Sequence, residues 1–291
     1  MIPEHLVHEL RYIELRAARR IRSQRVGVYK SPLRGEGFEF DQHQPYRRGD
    51  DARRIDWNAT ARTGTPFLRQ MRAERELNMV LAGDLSRSMQ LGSGRSKHEA
   101  LVLATASLLI SALTDGIRSG VLGFTDTVLE WTAPVSDKST AWAAVTHLWT
   151  MKTSGKRTSI RPVLQHLLQT LKRTTLVVFV SDFLTDEDFT KTADLAVLAS
   201  HHDVLAVVLE DPVETTLPEG TGYVRLRDVE SDAEITVRLT RETRERYART
   251  IQQRRAELQQ TFYRAGVEHV FVNAQGDVVE PLMRVFEGRR S

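Results

Sequence analysis

Asp84-Leu85-Ser86-Arg87-Ser88 sets a carboxylate and two hydroxyls at alternate positions, directly after the mostly apolar run from Leu77 to Gly83. Two later stretches add oxygen. Thr158 lies in Lys152-Thr153-Ser154-Gly155-Lys156-Arg157-Thr158-Ser159, and Asp182 follows the apolar run from Thr174 to Ser181. Together Asp84, Ser86, Ser88, Thr158 and Asp182 make an all-oxygen set. Hard divalent cations want such donors, and Mg²⁺ in particular is held by few carboxylates and keeps several waters. Because three of the donors are neutral hydroxyls, a Mg²⁺ or Mn²⁺ ion held there would stay electron-poor, with reason to recruit one more anionic oxygen, such as a carboxylate from a partner protein. Each residue also has an ordinary structural use, since Asp and Ser turn and cap the backbone where a strand passes into a helix. Thr158 is either the N-cap of the helix after it or a hydroxyl facing the mouth of the sheet.

These side chains can meet only if the strands that carry them are neighbours. From residue 77 onward apolar strands are expected at 77–83, 119–124, 174–181, 203–209 and 267–272, with helices near 96–115, 138–150, 159–172, 187–201 and 240–265. That alternation is the pattern of an α/β, doubly wound, mostly parallel sheet, in which ligands sit beyond the carboxyl ends of the strands where strand order reverses. Thr127 to Trp131 follows its predecessor so closely that a hairpin, and one antiparallel edge strand, is expected. Pro212, Pro218, Gly220 and Gly222 break the alternation before short segments at 222–227 and 234–238, which read as a further β-hairpin.

The organisation divides the chain into residues 1–76, an N-terminal helix and turn-rich extension, and residues 77–291, the sheet domain. Leu6, Leu10, Ile13 and Ala17 give residues 3–23 a helical period. Residues 31–76 are punctuated by Gly and Pro and hold two or three short strands, with Thr65 to Glu74 expected to feed the Leu77 strand. Asp50, Asp51 and Asp56 interleave with Arg47, Arg48, Arg53 and Arg54, an ion-paired knot that Ile55 and Trp57 would anchor on the core.

Composition bounds the function. With 291 residues, 41% hydrophobic and 27% charged, the chain is ordinary globular protein. It has no cysteine, which excludes disulfides, cysteine zinc sites and thiol catalysis. Met1-Ile2-Pro3-Glu4-His5 lacks the apolar core of a signal peptide, and the longest apolar run, Leu101 to Leu113, is 13 residues, whereas a membrane span needs about 20. A cytoplasmic protein without a membrane span is expected. Residues 1–76 carry 16 of the 41 basic and 11 of the 38 acidic side chains, so the excess positive charge is N-terminal. Acids interleave with these bases throughout, which favours a solvated face over nucleic-acid contact.

Asp84-x-Ser86-x-Ser88, Thr158 and Asp182 resemble the metal-ion-dependent adhesion site of von Willebrand factor A domains. Upstream, Gly35-Glu36-Gly37-Phe38-Glu39-Phe40, then Tyr46-Arg47-Arg48-Gly49-Asp50-Asp51-Ala52-Arg53-Arg54-Ile55-Asp56-Trp57, then Ala61-Arg62, resembles the bacterial family called domain of unknown function fifty-eight, whose members place this stretch just before an A-like domain. The similarity runs from about Arg34 to Asp182. It implies a von Willebrand factor A-like domain, Mg²⁺ or Mn²⁺ on those five residues, and a MoxR-type AAA+ ATPase as partner. The chain has Lys156-Arg157-Thr158-Ser159 where the family usually has Gly-Gly-Thr-Asp. The function expected is a metal-dependent protein–protein interaction module without catalysis. The alternative is a Mg²⁺-dependent phosphatase-like hydrolase with Asp84 as nucleophile, a chemistry that uses a second acid two residues on, where this chain has Ser86.

Overall fold

The computed structural model describes residues 39–47, 50–52, 55–72, 77–151, 157–185, 193–227 and 233–288. They fall into two compact units, one holding the described residues up to Arg72 and the other beginning at Leu77.

In the first unit β1 (Glu39–Pro45) pairs antiparallel with β2 (Phe67–Arg72), and α1 (Trp57–Thr63) lies between them in the chain. No apolar stripe announces α1; its ends define it. Asp56 Oδ1 accepts the Asn58 and Ala59 N–H groups at 3.0 and 3.1 Å, and Gly64, at φ 70°, closes the helix in the left-handed region that glycine favours. One expectation changes here: Trp57 is 70% exposed, so Trp57 does not anchor the segment. The strand expected within Thr65 to Glu74 is β2, which pairs with β1 in a sheet of its own. The expected helix at 3–23, Gly35 to Phe38, Arg48, Arg53 and Arg54 lie outside the described residues.

The second unit is built on a six-stranded sheet in the order β10-β7-β6-β3-β4-β5. Its strands are β3 (Asn78–Asp84), β4 (Arg118–Phe124), β5 (Val128–Val135), β6 (Thr175–Ser181), β7 (Asp203–Glu210) and β10 (Glu268–Asn273). All neighbours are parallel except β4 and β5, the hairpin edge expected from the short connection. β3 sits in the middle and is buried on both faces, since successive side chains of a strand point to opposite sides. Met79 and Leu81 enter one core, with α2 (Lys97–Thr114), α3 (Lys138–Thr150) and α8 (Val279–Gly288). Val80 and Ala82 enter the other, with α4 (Arg161–Thr170), α5 (Asp194–His201) and α7 (Arg241–Ala265).

Between β3 and β6 the order reverses: β4 and β5 extend the sheet on one side of β3, and β6, β7 and β10 on the other. This switch point lies between the two strands that end near Asp84 and Asp182. A four-residue helix, α6 (Pro212–Thr215), follows β7, and β8 (Gly222–Arg227) pairs with β9 (Glu234–Leu239) as the expected hairpin. Helix α8 was not expected. Asp277 Oδ1 takes the N–H groups of Val279 and Glu280, and this cap is its sequence signal. Helix α5 begins at Asp194, later than the expected 187, and residues 186–192 lie outside the described set. Among the described residues no helix is long and apolar enough to cross a membrane.

The edge of the sheet depends on a glycine. The β4–β5 register shifts between Ser119 and Val121, and a Cβ at Gly120 would stand 2.5 Å from the Thr132 carbonyl oxygen and 2.9 Å from Pro134 N, both backbone atoms. Gly120→Ala is expected to lower stability by about 1–3 kcal/mol in urea unfolding, the usual cost of forcing backbone apart. Trp57→Ala, on an exposed side chain, is expected to stay within about 0.5 kcal/mol of wild type in the same measurement.

Candidate metal centre

Asp84 is the last residue of β3 and has no exposed surface. A carboxylate buried this way needs donors from the protein. Its Oδ1 accepts the Ser86 N–H at 2.8 Å, and its Oδ2 accepts the Ser181 hydroxyl at 2.6 Å and the Thr158 hydroxyl at 3.3 Å. Ser86 is the N-cap position of a short 3₁₀ helix, Arg87–Gln90, and Ser88 lies within it, their hydroxyls 3.1 Å apart. The Leu85 N–H donates to the Phe124 carbonyl, which ties the loop to the end of β4.

Thr158 faces the mouth and is not a cap, because α4 begins at Arg161 after Ile160, with Pro162 in its first turn. The backbone holds Thr158 on both sides. Ser159 N–H donates to Thr125 O at 3.0 Å, and the Thr185 hydroxyl donates to Thr158 O at 2.8 Å. Lys152 to Lys156, the basic part of that loop, lies outside the described residues.

Asp182 follows β6, and its Oδ1 accepts the Leu184 N–H at 3.0 Å. The next residue, Phe183, has φ 50°, the positive φ of a non-glycine residue, in a region that costs an L-residue about 1–2 kcal/mol. The surroundings hold it there. Its N–H donates to Ser181 Oγ at 2.8 Å, its carbonyl accepts from Arg254 at 3.1 Å, and its ring packs edge-on against Phe262 at 5.1 Å.

All five residues singled out by the sequence thus converge, and all are buried. Three that were not singled out join them. Ser181 supplies the shortest hydrogen bond to Asp84; its signal was a hydroxyl immediately before Asp182 at a strand end. Lys97, the first residue of α2, is fully buried with Nζ 2.6 Å from Asp182 Oδ2 and 2.6 and 2.7 Å from the two Glu214 carboxylate oxygens. Glu214 lies on α6. Tyr247 donates to the Glu214 carbonyl at 2.7 Å. Ser88, Asp182 and Glu214 lie on the wall of a cleft of about 580 Å³ that α7 also lines, through Tyr247, Ile251 and Arg254.

Charge is unevenly balanced across this cluster. Burial, and then the nearby charge of Asp182, push the Asp84 carboxyl up to about 7 against the opposing hydrogen bonds from Ser181 and Ser86. Burial alone would lower the Lys97 ammonium, but Asp182 and Glu214 together raise it. Lys97 therefore stays charged and serves Asp182 and Glu214, while among the described residues Asp84 is held by the hydrogen bonds of Ser86, Ser181 and Thr158. Among the described residues no group of three or more His, Cys, Asp or Glu is placed to share a metal. The donor set is instead two carboxylates with hydroxyls, which suits a hard ion that keeps waters. A buried carboxylate with a raised pKa beside a second one is a place where added positive charge is favourable, so the residues fit a divalent cation.

A doubly wound α/β domain with buried carboxylates and hydroxyls gathered at its switch point is the class that this geometry defines. The chain belongs to the family described as protein of unknown function DUF58, which matches residues 42–257. An uncharacterized protein of Mycobacterium tuberculosis strain H37Rv is 28% identical over 98% of this chain and 90% of its own length. One of Mycobacterium avium is 25% identical over 47% of this chain and 79% of its own length. Among solved structures, an aerotolerance-related membrane protein from Bacteroides fragilis is similar with a TM-score of 0.44 and 17% identity, covering 72% of this chain and 99% of that one. A von Willebrand factor type A protein from Catenulispora acidiphila is similar with a TM-score of 0.36 and 11% identity, covering 48% of this chain and 34% of that one.

The raised Asp84 makes a pH prediction for chelator-treated protein. Between about pH 4 and 7 the folded protein keeps a proton at Asp84 that the unfolded chain has lost, so this group's contribution to stability falls as pH rises through that window and is level above it. Asp84→Asn carries no such proton. Relative to wild type it is expected to gain stability steadily from pH 4 to 7 and to be the more stable protein at pH 8, read by urea unfolding at each pH.

Proposed function

We propose that this chain is a protein-interaction module in which Asp84, Ser86, Ser88, Thr158 and Asp182 hold a Mg²⁺ or Mn²⁺ ion, directly or through water, and engage a carboxylate of a partner protein. The observation that carries the reading is the meeting of three separate chain segments at one buried point, with Thr158 on Asp84 at 3.3 Å and Ser181, next to Asp182, on Asp84 at 2.6 Å. A bound divalent ion would supply an electron-poor coordination position there. The family likeness supports a MoxR-type AAA+ ATPase as the partner, and a chain with no cysteine fits a reducing cytoplasm.

Charge supports the same reading. With Asp84 ionised, Asp84, Asp182 and Glu214 face Lys97 and Arg254, three carboxylates to two cations. A divalent ion would turn that excess of negative charge into an excess of positive charge, which attracts an acidic group. Burial of Asp84, with both of its oxygens already accepting hydrogen bonds, supports a ligand and not a nucleophile, and so a role without catalysis.

Calorimetric titration of Mn²⁺ into chelator-stripped protein is expected to show binding that Asp84→Ala abolishes. A MoxR-type ATPase immobilised as bait is expected to retain wild-type protein in Mg²⁺ and release it in EDTA, and to retain Ser86→Ala poorly in either. Capture that ignores EDTA, or Mn²⁺ binding unchanged in Asp84→Ala, sinks the reading.

A further inference from the structure

Lys97 stands where a surface lysine would be the ordinary expectation, yet its ammonium is fully buried and shared by Asp182 and Glu214. The two carboxylates are not equivalent. Asp182 belongs to the candidate cation site, and its second oxygen is already fixed by the Leu184 N–H. Glu214 belongs to α6, lies on the far side of Lys97, and has 23% of its side chain exposed to the cleft. Lys97 thus places a fixed positive charge against a site that would take a cation, and Glu214 places a fixed negative charge behind it.

We propose that Lys97 and Glu214 form a built-in charge regulator of the candidate cation site, the lysine weakening its hold on a divalent ion and the glutamate restoring that hold. This rests on the reading that the site takes such an ion. The regulation is electrostatic and not a matter of placement. Without Lys97, Asp182 keeps its orientation through Leu184 N–H. With Glu214→Gln, the amide oxygen can still accept from Lys97, so the contact stays and only the charge goes. With Asp84 ionised, as it is above about pH 7, the five groups Asp84, Asp182, Glu214, Lys97 and Arg254 sum to one net negative charge. Lys97→Met makes that two and Glu214→Gln makes it zero, while the double variant returns it to one.

The order of Mn²⁺ affinity follows from that count. In calorimetric titration of chelator-stripped protein, Glu214→Gln is expected to bind about tenfold more weakly than wild type and Lys97→Met about tenfold more tightly, with the double variant within about threefold of wild type. Opposite signs in the two single variants and their cancellation in the double variant are what a merely structural role would not produce. Lys97→Met leaves two buried carboxylates without their cation and can fail to fold; wild type, Glu214→Gln and the double variant then decide the matter. Binding that is lost in Asp84→Ala but equal in wild type and Glu214→Gln overturns the charge regulator alone. Folded protein that takes no Mn²⁺ in wild type or any variant overturns the cation reading and the regulator with it.

Discussion

Asp84 has no exposed surface, so both oxygens of its carboxylate need donors within the site, and the loops at the top of the sheet are arranged around that requirement. Ser86 turns its N–H back to Oδ1, and Ser181 and Thr158 bring hydroxyls to Oδ2. Ser181 Oγ is in turn an acceptor for Phe183 N–H, which draws the chain after β6 into its left-handed turn and leaves the Asp182 carboxylate between the site and Lys97. The ends of β3 and β6 and the segment after β5 and α3 are thereby joined by hydrogen bonds to one group.

The sheet beneath makes the arrangement possible by being dry on both faces. Val80 and Ala82 on one side of β3, and Met79 and Leu81 on the other, each lie against helices. The strand stays covered through to its last residue, Asp84. Glycines keep the neighbours close: a Cβ at Gly123 would meet Leu148 and Leu85 at 2.8 and 2.9 Å, just where β4 passes under the site loop.

Much of this was legible in the amino-acid sequence because the relevant signals are local. Apolar runs such as Met79 to Ala82 and Leu176 to Val180 mark strands without help from the rest of the chain, and a carboxylate at the end of each marks the mouth. What could not be read was distant or polar. Lys97 follows an ordinary capping serine, and nothing near it in sequence distinguishes a buried ammonium from a solvated one; its partners are 85 and 117 residues away. Glu214 sits on a single helical turn with no apolar period. Helix α1 was missed because two caps, Asp56 and Gly64, define it and not a hydrophobic stripe. The anchoring role expected for Trp57 failed on burial, a property that residue type alone does not determine.

Lys97 is also the first residue of α2, the end at which aligned peptide dipoles amount to roughly half a positive charge. An ammonium is unwelcome there. Glu99, through its capping box with Ser96, answers part of the field, and Asp182 and Glu214 answer the rest. Were the loop after β6 or α6 to swing away, the start of α2 would face its own lysine with one of its two balancing carboxylates gone. The helix start, the end of β6 and the α6 turn are therefore bound to open together, as one cooperative unit, instead of fraying one at a time.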